Sequence, residues 1–261
     1  MKKFFAVPLA VLFVAACSDS STAPSATADL SPSYAKPTPP PSDPCPGCTT
    51  IGSFAFEGVD IAGGATLGTE VQVGTAGDAD AATIVGAPSG EHFVGRFANT
   101  RTVLVVNVPE GYNKYSLTFD FYTIGSWDGR GKQAQHGVFD ANVFDISYQC
   151  GTSAAVSMFK TSFSNQLTVQ QDYPLSYLQG GNKAATGSFA TDALDYKSDL
   201  TLSNTPQFRS FGDVSYHMAF SGVNPCGTAG IQFEISTSNP TQQSVWDESW
   251  GVDNIVVKAG T

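Results

Sequence analysis

The chain has 261 residues, with 13 Lys and Arg against 23 Asp and Glu, which gives a formal charge of −10. This acidic balance argues against a nucleic-acid partner, because such binding depends on Lys and Arg that neutralise phosphates. The charged fraction is only 14% and glycine is abundant, which disfavours long surface helices and favours short strands with tight turns. The length suits one substantial all-β domain with appendages.

The first seventeen residues, MKKFFAVPLAVLFVAAC, are typical of an export signal. Two lysines precede an apolar stretch and three small residues, and the apolar stretch is shorter than the about 20 residues of a membrane-spanning helix. The sequence ending at Cys17 resembles the bacterial lipobox, in which this cysteine becomes the acylated N-terminus. We therefore expect residues 1–16 to be removed and Cys17 to attach the chain to a lipid bilayer. Ser18 follows the cysteine, which resembles the signal of outer-membrane lipoproteins that face the periplasm or the cell surface.

Residues 17–50 follow as a tether that we expect to be disordered. The stretch 18–50 contains eight of the fifteen prolines and almost no large apolar side chains. Such a composition cannot bury enough apolar surface to offset the entropy of ordering. We interpret the segment as a spacer between the lipid and a domain that begins at residue 51.

Four further cysteines fit an exported protein. Four cysteines can pair in three ways, and oxidising compartments favour disulfides. Cys150 ends a predicted strand and Cys226 precedes one, so we expect a bridge between them. Cys45-Pro-Gly-Cys48 is typical of a turn closed by its own disulfide. The alternative for this pair is a redox or metal motif, but no second pair of ligands lies nearby in the sequence.

From residue 51 the sequence becomes typical of β-structure. Apolar and polar residues alternate with the period of two that marks a half-buried strand. The alternation is strongest at 117–122, 144–148, 216–220 and 231–235, and further strands are expected at 92–97, 102–108, 155–163 and 252–258. Turn residues separate these segments. About ten short strands predict one antiparallel β-sandwich or barrel over residues 51–261.

The sequence offers no recognisable catalytic constellation. The Gly-x-Ser-x-Gly turn of α/β-hydrolases does not occur, and neither does a run of alternating carboxylates like that of retaining glycosidases. His92, His136 and His217 show no H-E-x-x-H spacing. We therefore expect no enzymatic activity, and a glycan hydrolase is the least favoured alternative.

Two tryptophan-carboxylate motifs carry a family resemblance. They are SWDG at 126–129 and DESWGVDN at 247–254, and they accompany FVGRFANTRTVLVVNVP at 93–109, FSN and DYP within 163–174, and DVSYHMAF at 213–220. Together these segments resemble a bacterial family of secreted and lipoprotein β-sandwich domains with an SWDG strand end and a terminal DESWGxDN. That family is similar to lectin-like and galactose-binding-like jelly rolls, which implies a single antiparallel jelly-roll β-sandwich here. Gly125 departs from the family pattern, which usually has Asp at this position.

The similarity to lectin-like folds implies a carbohydrate ligand, such as a polysaccharide or surface glycan. Flat aromatic faces can pack on sugar rings, and the candidate binding residues are Trp127, Asp128, Trp246, Trp250 and Tyr122. The alternative is that the tryptophans belong to the core, because tryptophan is highly buried on average.

A wider resemblance concerns the two ends of the domain. Many jelly-roll carbohydrate-binding modules join a Phe-Glu near the first strand to an Asp in the last strand through a calcium ion, and Phe56-Glu57 and Asp253 stand in those positions. Asp247 and Glu248 add carboxylate oxygens of the kind that calcium prefers. We therefore expect a structural Ca²⁺ ion held by Glu57, Asp247, Glu248 and Asp253. The alternative is that these acidic residues only form turns.

The expected function is that of a membrane-anchored, non-catalytic binding lipoprotein with carbohydrate as its ligand. This expectation rests on the resemblance and on the absence of catalytic motifs in the sequence. A structural or adhesive surface protein that binds other proteins is the main alternative.

Overall fold

The structure is a computed structural model that describes residues 45–56, 71–74, 83–98, 103–130, 132–133, 137–138, 141–196, 211–238 and 248–261. All of these residues belong to one compact unit that spans residues 35–261. Within the described ranges every regular element is a β-strand. None of the described segments forms a helix of the length and apolar character needed to cross a membrane. Cys17, the predicted signal peptide and most of the predicted tether lie outside these ranges.

The described residues contain fourteen strands. They are β1 (Thr49–Phe54), β2 (Val71–Gly74), β3 (Thr83–Gly86), β4 (His92–Ala98), β5 (Val103–Val108), β6 (Lys114–Gly125), β7 (Lys132–Gln133), β8 (Gly137–Val138), β9 (Val143–Cys150), β10 (Val156–Ser162), β11 (Ala190–Thr191), β12 (Asp213–Val223), β13 (Ile231–Ser238) and β14 (Glu248–Gly260).

Twelve of these strands form two antiparallel sheets. The seven-stranded sheet has the order β11-β12-β6-β14-β4-β3, and β1 pairs with the C-terminal half of β14. The five-stranded sheet has the order β10-β9-β13-β5-β2. The short strands β7 and β8 pair only with each other. This arrangement confirms the predicted all-β, antiparallel jelly-roll β-sandwich.

The core lies between the two sheets because each long strand turns one face inward. In β6 the side chains of Leu117, Phe119 and Phe121 are fully buried, and the intervening residues point to the outer face. In β13 the inward residues are Ile231, Phe233 and Ile235, as the alternation in the sequence predicts.

The strands with strong alternation lie where the sequence predicts them, but several shorter strands were not predicted. The prediction of a domain boundary at residue 51 falls inside β1, which begins at Thr49. The prediction for the last strand, 252–258, omits 248–251 because Glu, Ser and Gly have low strand propensity. These four residues nevertheless form strand, because all four pair with β6 and the last three of them also pair with β4.

Both predicted disulfides are present. Cys150 at the end of β9 is joined to Cys226 in the loop after β12. Cys45 and Cys48 close a four-residue turn, in which the Cys48 N–H donates to the Cys45 carbonyl at 3.0 Å and Gly47 adopts a φ of 83°. A Cβ atom at Gly260 would lie 2.9 Å from the Cys48 Sγ, so this ring packs directly on the end of β14. The ring therefore belongs to the domain and not to a free tether.

The outer face of the seven-stranded sheet is partly covered. A second apolar cluster lies on this face, separate from the main core, and consists of Ala87, Phe93, Tyr122, Ile124 and Leu194. We call it the outer cluster. Its members come from β4, β6 and the loops near β3 and β11, so it attaches two loops to the sheet.

Candidate functional site

The two described tryptophans of the motifs are buried in the core. Trp127 and Trp250 have 0% of their surface exposed, and Tyr122 has 4%. Trp250 packs against Phe97 at a ring distance of 4.5 Å, and the Trp127 indole N–H donates to the Ser249 carbonyl at 2.8 Å. Because a sugar can stack only on an accessible ring, these three residues do not form the expected binding platform in this conformation. Trp246 lies outside the described residues.

A buried polar network joins the SWDG motif to the closing motif. The Asn142 side chain accepts a hydrogen bond from the Asp128 N–H and donates one to the Glu248 carboxylate. The Gln166 amide donates to the Asp128 carboxylate. The Asp128 carboxylate therefore has a partner within the protein, and Glu248 is 1% exposed. The network connects the end of β6 to the start of β14. Both motifs therefore have a structural role.

Asp253 lies where one edge of β14 passes from β4 to β1. On that edge of β14, Val252 pairs with β4 and Ile255 pairs with β1. The Asp253 carboxylate is 1% exposed and accepts the Phe56 N–H at 3.4 Å. The residue after Phe56 is Glu57, which lies outside the described residues.

Glu248 and Asp253 point to opposite faces of β14. Glu248 is two residues from Trp250, which faces the core, whereas Asp253 pairs with Asp120 of the outer face. A single ion bound by Asp253 would therefore not be ligated by Glu248. Among the described residues there is no group of three His, Cys, Asp or Glu placed to hold a metal ion. Asp247, like Glu57, lies outside the described ranges.

Beside Asp253, the outer face of the seven-stranded sheet carries a hydrogen-bonded histidine-carboxylate pair. The His217 Nδ1 atom lies 2.8 Å from the Asp120 carboxylate, whose second oxygen accepts the Asn254 amide at 2.9 Å. This hydrogen bond to Asp120 raises the pKa of His217, against a smaller effect of burial. Asn254 has a φ of 49°, within a bulge of β14, so the contact fixes an irregular point of the strand.

A buried carboxylate lies next to the outer cluster. Asp213 accepts the backbone N–H groups of Leu194 at 3.0 Å and Tyr196 at 3.2 Å. Burial raises the pKa of Asp213 to about 6, although the donated N–H groups act in the opposite direction. The guanidinium of Arg96 stacks 4.7 Å from the centre of the Tyr196 ring, and its Nε donates to the Ser249 hydroxyl at 3.0 Å. These contacts attach the segment after β11 to the sheet.

A long, irregular loop of residues 163–189 connects the two sheets along one side. Its centre is the buried carboxylate of Asp172, which accepts the Ser162 hydroxyl at 2.8 Å and the Gly180 N–H at 2.9 Å and pairs with Arg130 at 3.1 Å. This framework presents Leu178 to solvent with 65% of its surface exposed and a φ of 67°. A left-handed conformation is uncommon for a bulky residue, so the loop displays an apolar side chain at some conformational cost.

The outer face of the five-stranded sheet is polar and rich in uncharged groups. Among described side chains it consists of Asn107 and Val105 of β5, Asp145, Ser147 and Gln149 of β9, Ser157 and Lys160 of β10, and Gln232, Glu234 and Ser236 of β13. We call this the polar face. The residues adjacent in sequence to those of the polar face, such as Phe233 and Ile146, point into the core. Val105 is buried and the polar residues are partly or fully exposed.

The strand register arranges the polar face in rows. Gln232 pairs with Asn107 on one side and with Gln149 on the other, which places three amides in line. The next row contains Glu234 opposite Ser147. Within the described residues the side chains of Gln149, Gln232 and Glu234 make no hydrogen bond, whereas Asp145 accepts one from Ser157 at 2.8 Å.

Comparisons with known proteins found distant structural likenesses. No protein-family model matches the chain, and no curated protein matches it by sequence. A solved structure of TmCBM61 in complex with β-1,4-galactotriose matches with a TM-score of 0.35 and 12% identity, over 72% of this chain and 88% of that one. The K3 adhesin domain of Lys-gingipain from Porphyromonas gingivalis W83 matches with a TM-score of 0.39 and 13% identity, over 80% and 98%. CBM35 from Cellvibrio japonicus Abf62 matches with a TM-score of 0.26 and 10% identity, over 73% and 94%.

The residues that connect distant segments carry no recognisable sequence motif. Asn142 and Gln166 have no motif of their own, although Asn142 joins the two tryptophan motifs and Gln166 bonds to the first of them. The polar face was not predicted from the sequence. Its signal was available in the outward positions of the strands at 144–148 and 231–235, but which strands are adjacent cannot be read from local alternation.

Proposed function

We propose that the protein is a membrane-anchored, non-catalytic binding lipoprotein whose β-sandwich binds carbohydrate. The observation that supports this function best is the polar face, where amide, hydroxyl and carboxyl groups lie in register on a rigid sheet. Amides and hydroxyls both donate and accept hydrogen bonds, as sugar hydroxyls do. A site built on strands holds these groups in fixed positions, which lowers the entropy lost on binding.

The test is a glycan array probed with the full chain, solubilised in a detergent that carries no sugar. We expect saturable binding to at least one class of glycan, with competition by the same glycan in solution. Absence of binding to every glycan on the array would contradict the proposal and would favour a structural or protein-binding role.

The anchoring part of the proposal agrees with the position of the domain's N-terminal end. The Cys45–Cys48 ring packs on Gly260, at the end of β14 opposite to Glu248. A lipid on Cys17, followed by residues 18–44, would therefore hold the sandwich by one end.

We also propose a structural calcium ion near Asp253. The contact between Asp253 and the Phe56 N–H supports this site, because it joins the residue that precedes Glu57 in the sequence to a buried carboxylate. Glu57 and Asp253 would hold the ion, and the ion would tie the first strand to the last. Glu248 does not fit this site, because it faces the core.

The calcium proposal predicts that millimolar calcium raises the melting temperature by several degrees. A metal that binds only the folded state contributes about 2.7 kcal/mol at a hundredfold excess over its Kd. Asp253→Asn should remove the effect, and Asp145→Asn, on the other sheet, should leave it intact. Identical melting curves of the unmodified protein in calcium and in chelator would contradict the proposal.

One observation favours the alternative of a protein-binding surface protein. Leu178 and Leu175 are 65% and 50% exposed on the same loop, and Asp172 and Arg130 hold that loop rigid. Exposed apolar side chains on a rigid frame are typical of protein contacts. Replacing both leucines with Ser should abolish capture of a protein partner and leave glycan binding unchanged.

A further inference from the structure

We infer that the polar face binds a neutral polysaccharide. The row of amides formed by Asn107, Gln232 and Gln149 contacts the sugar chain, and the Glu234 carboxylate repels anionic glycans. This inference rests on the proposed function and specifies its site and ligand class. It differs from the sequence expectation, which placed the ligand at the tryptophan motifs.

The geometry of the amide row suits an extended oligosaccharide. Asn107, Gln232 and Gln149 lie opposite one another on three adjacent strands, β5, β13 and β9. Neighbouring strands are about 4.8 Å apart, so the row spans about 10 Å. Each amide carries two N–H donors and one carbonyl acceptor, and Asn107 also has a partner within the chain. A sugar chain laid across the strands would meet one amide after another.

The two glutamines of the row are available for a ligand. Gln232 and Gln149 are adjacent in register and partly exposed, yet neither side chain makes a hydrogen bond among the described residues. Their donors and acceptors therefore face solvent, where the hydroxyls of a ligand can replace water as hydrogen-bond partners.

The charge of the face favours a neutral ligand. Glu234 lies at the centre, and its cross-strand partners, Val105 and Ser147, carry no charge. Lys160 pairs in register with Asp145 on the neighbouring row, and its ammonium lies 5.7 Å from the centre of the Tyr177 ring. The whole chain carries a formal charge of −10. An anionic polysaccharide would therefore meet repulsion at Glu234, whereas neutral hydroxyls can donate to its carboxylate.

The composition of the face disfavours a protein partner. Its only apolar side chain among described residues is Val105, which is buried. Protein interfaces depend on aromatic or apolar residues at their centre. A surface of amides, hydroxyls and carboxylates instead matches a polyol.

The test is isothermal titration calorimetry of the full chain in a sugar-free detergent. The neutral probes are hexasaccharides of glucose, galactose, mannose or xylose, and the anionic probe is oligogalacturonate of the same length. We expect binding to at least one neutral probe and much weaker binding to oligogalacturonate. The double variant Gln149→Ala/Gln232→Ala should lose at least about tenfold in affinity for the neutral probe. The matched control Gln179→Ala removes an exposed glutamine of the 163–189 loop and should bind like the unmodified chain.

Glu234→Gln separates charge from shape. This variant keeps the side-chain volume and should bind oligogalacturonate at least about threefold more tightly than the unmodified chain does. Unchanged melting temperatures of all variants would establish that they fold. If the double variant binds the neutral probe as well as the unmodified chain does, or if oligogalacturonate binds as tightly as the neutral probes, this inference is wrong while the carbohydrate function stands. Absence of binding to every probe would also overturn this inference, whereas the carbohydrate function falls only if the glycan array shows no binding as well.

Discussion

Asp213 is a single residue whose ionisation affects the stability of the domain. Its carboxylate is buried beside the outer cluster and accepts two backbone N–H groups, yet burial raises its pKa from 3.8 to about 6. The burial of charge therefore outweighs the hydrogen bonds that favour the ionised form. A carboxyl whose pKa is raised on folding contributes stability that is fully present below its unfolded pKa and is lost as the pH rises through its folded pKa.

We expect this group to reduce stability by about 2 kcal/mol as the pH rises from 4 to 7. Asp213→Asn cannot ionise, so this fall in stability should be absent from the variant. The measurement is chemical denaturation of both proteins at several pH values in that range. Asp195→Asn, which removes an exposed carboxylate from the same segment, should retain the pH dependence of the unmodified chain. An equal dependence in Asp213→Asn would show that another group is responsible.

At the scale of the elements, β14 holds the seven-stranded sheet together. It pairs with β6 along nearly its whole length and shares its other edge between β4 and β1. This sharing requires close approach of the backbones, and Gly251 and Gly95 face each other where β14 meets β4. The ring of Phe93 lies over Gly251, in the space that a Cβ atom would occupy.

Gly251→Ala should therefore destabilise the protein by about 1–3 kcal/mol, because the added methyl group overlaps Phe93 and the neighbouring backbone. The matched control is Gly222→Ala in β12, where the nearest atom to a new Cβ is the Tyr115 hydroxyl oxygen at 3.8 Å. This control should be close to neutral. Urea denaturation of the two variants tests the prediction, and equal stabilities would mean that β4 can move to accommodate the methyl group.

At the scale of the whole molecule, the two disulfides constrain the unfolded chain to different degrees. Cys150 and Cys226 are 76 residues apart, whereas Cys45 and Cys48 are three apart. In the chain-entropy model, a cross-link of the longer loop contributes about 4 kcal/mol and one of the shorter loop about 2 kcal/mol. The double variant Cys150→Ser/Cys226→Ser should therefore lose more stability than Cys45→Ser/Cys48→Ser does. Denaturant midpoints of the two variants provide the comparison, and the reverse order would contradict the model.

Attachment of the whole molecule to the membrane depends, in this proposal, on the lipid at Cys17. Cys17→Ser removes the sulfur that a lipobox acylates. We expect this variant to lose metabolic labelling with palmitate and to leave the membrane fraction, either uncleaved or as a soluble form. Because the change lies outside the domain, its melting temperature should match that of the unmodified protein. Retention of the variant in the outer membrane would refute the lipobox interpretation.

The sequence by itself determined the class of the fold and much of its strand content. Alternation such as that of Leu117, Phe119 and Phe121 is a local property, because successive side chains of a strand point to opposite faces wherever the strand lies. The pairing of Cys150 with Cys226 was also predicted from the sequence, because Cys150 ends a predicted strand, Cys226 precedes one and the sequence predicts export.

Only the tertiary structure decided what each face of those strands meets. A tryptophan can serve in a binding platform or in a core, so the residue type alone does not decide the role of Trp127 and Trp250. Both are buried because β4, β14 and β6 are neighbours in the sheet. Alternation likewise places Gln232 and Gln149 on one side of their strands, but only the register of β13 with β9 sets them side by side. Strand order and register arise from packing between segments that are far apart in sequence, so no local pattern determines them.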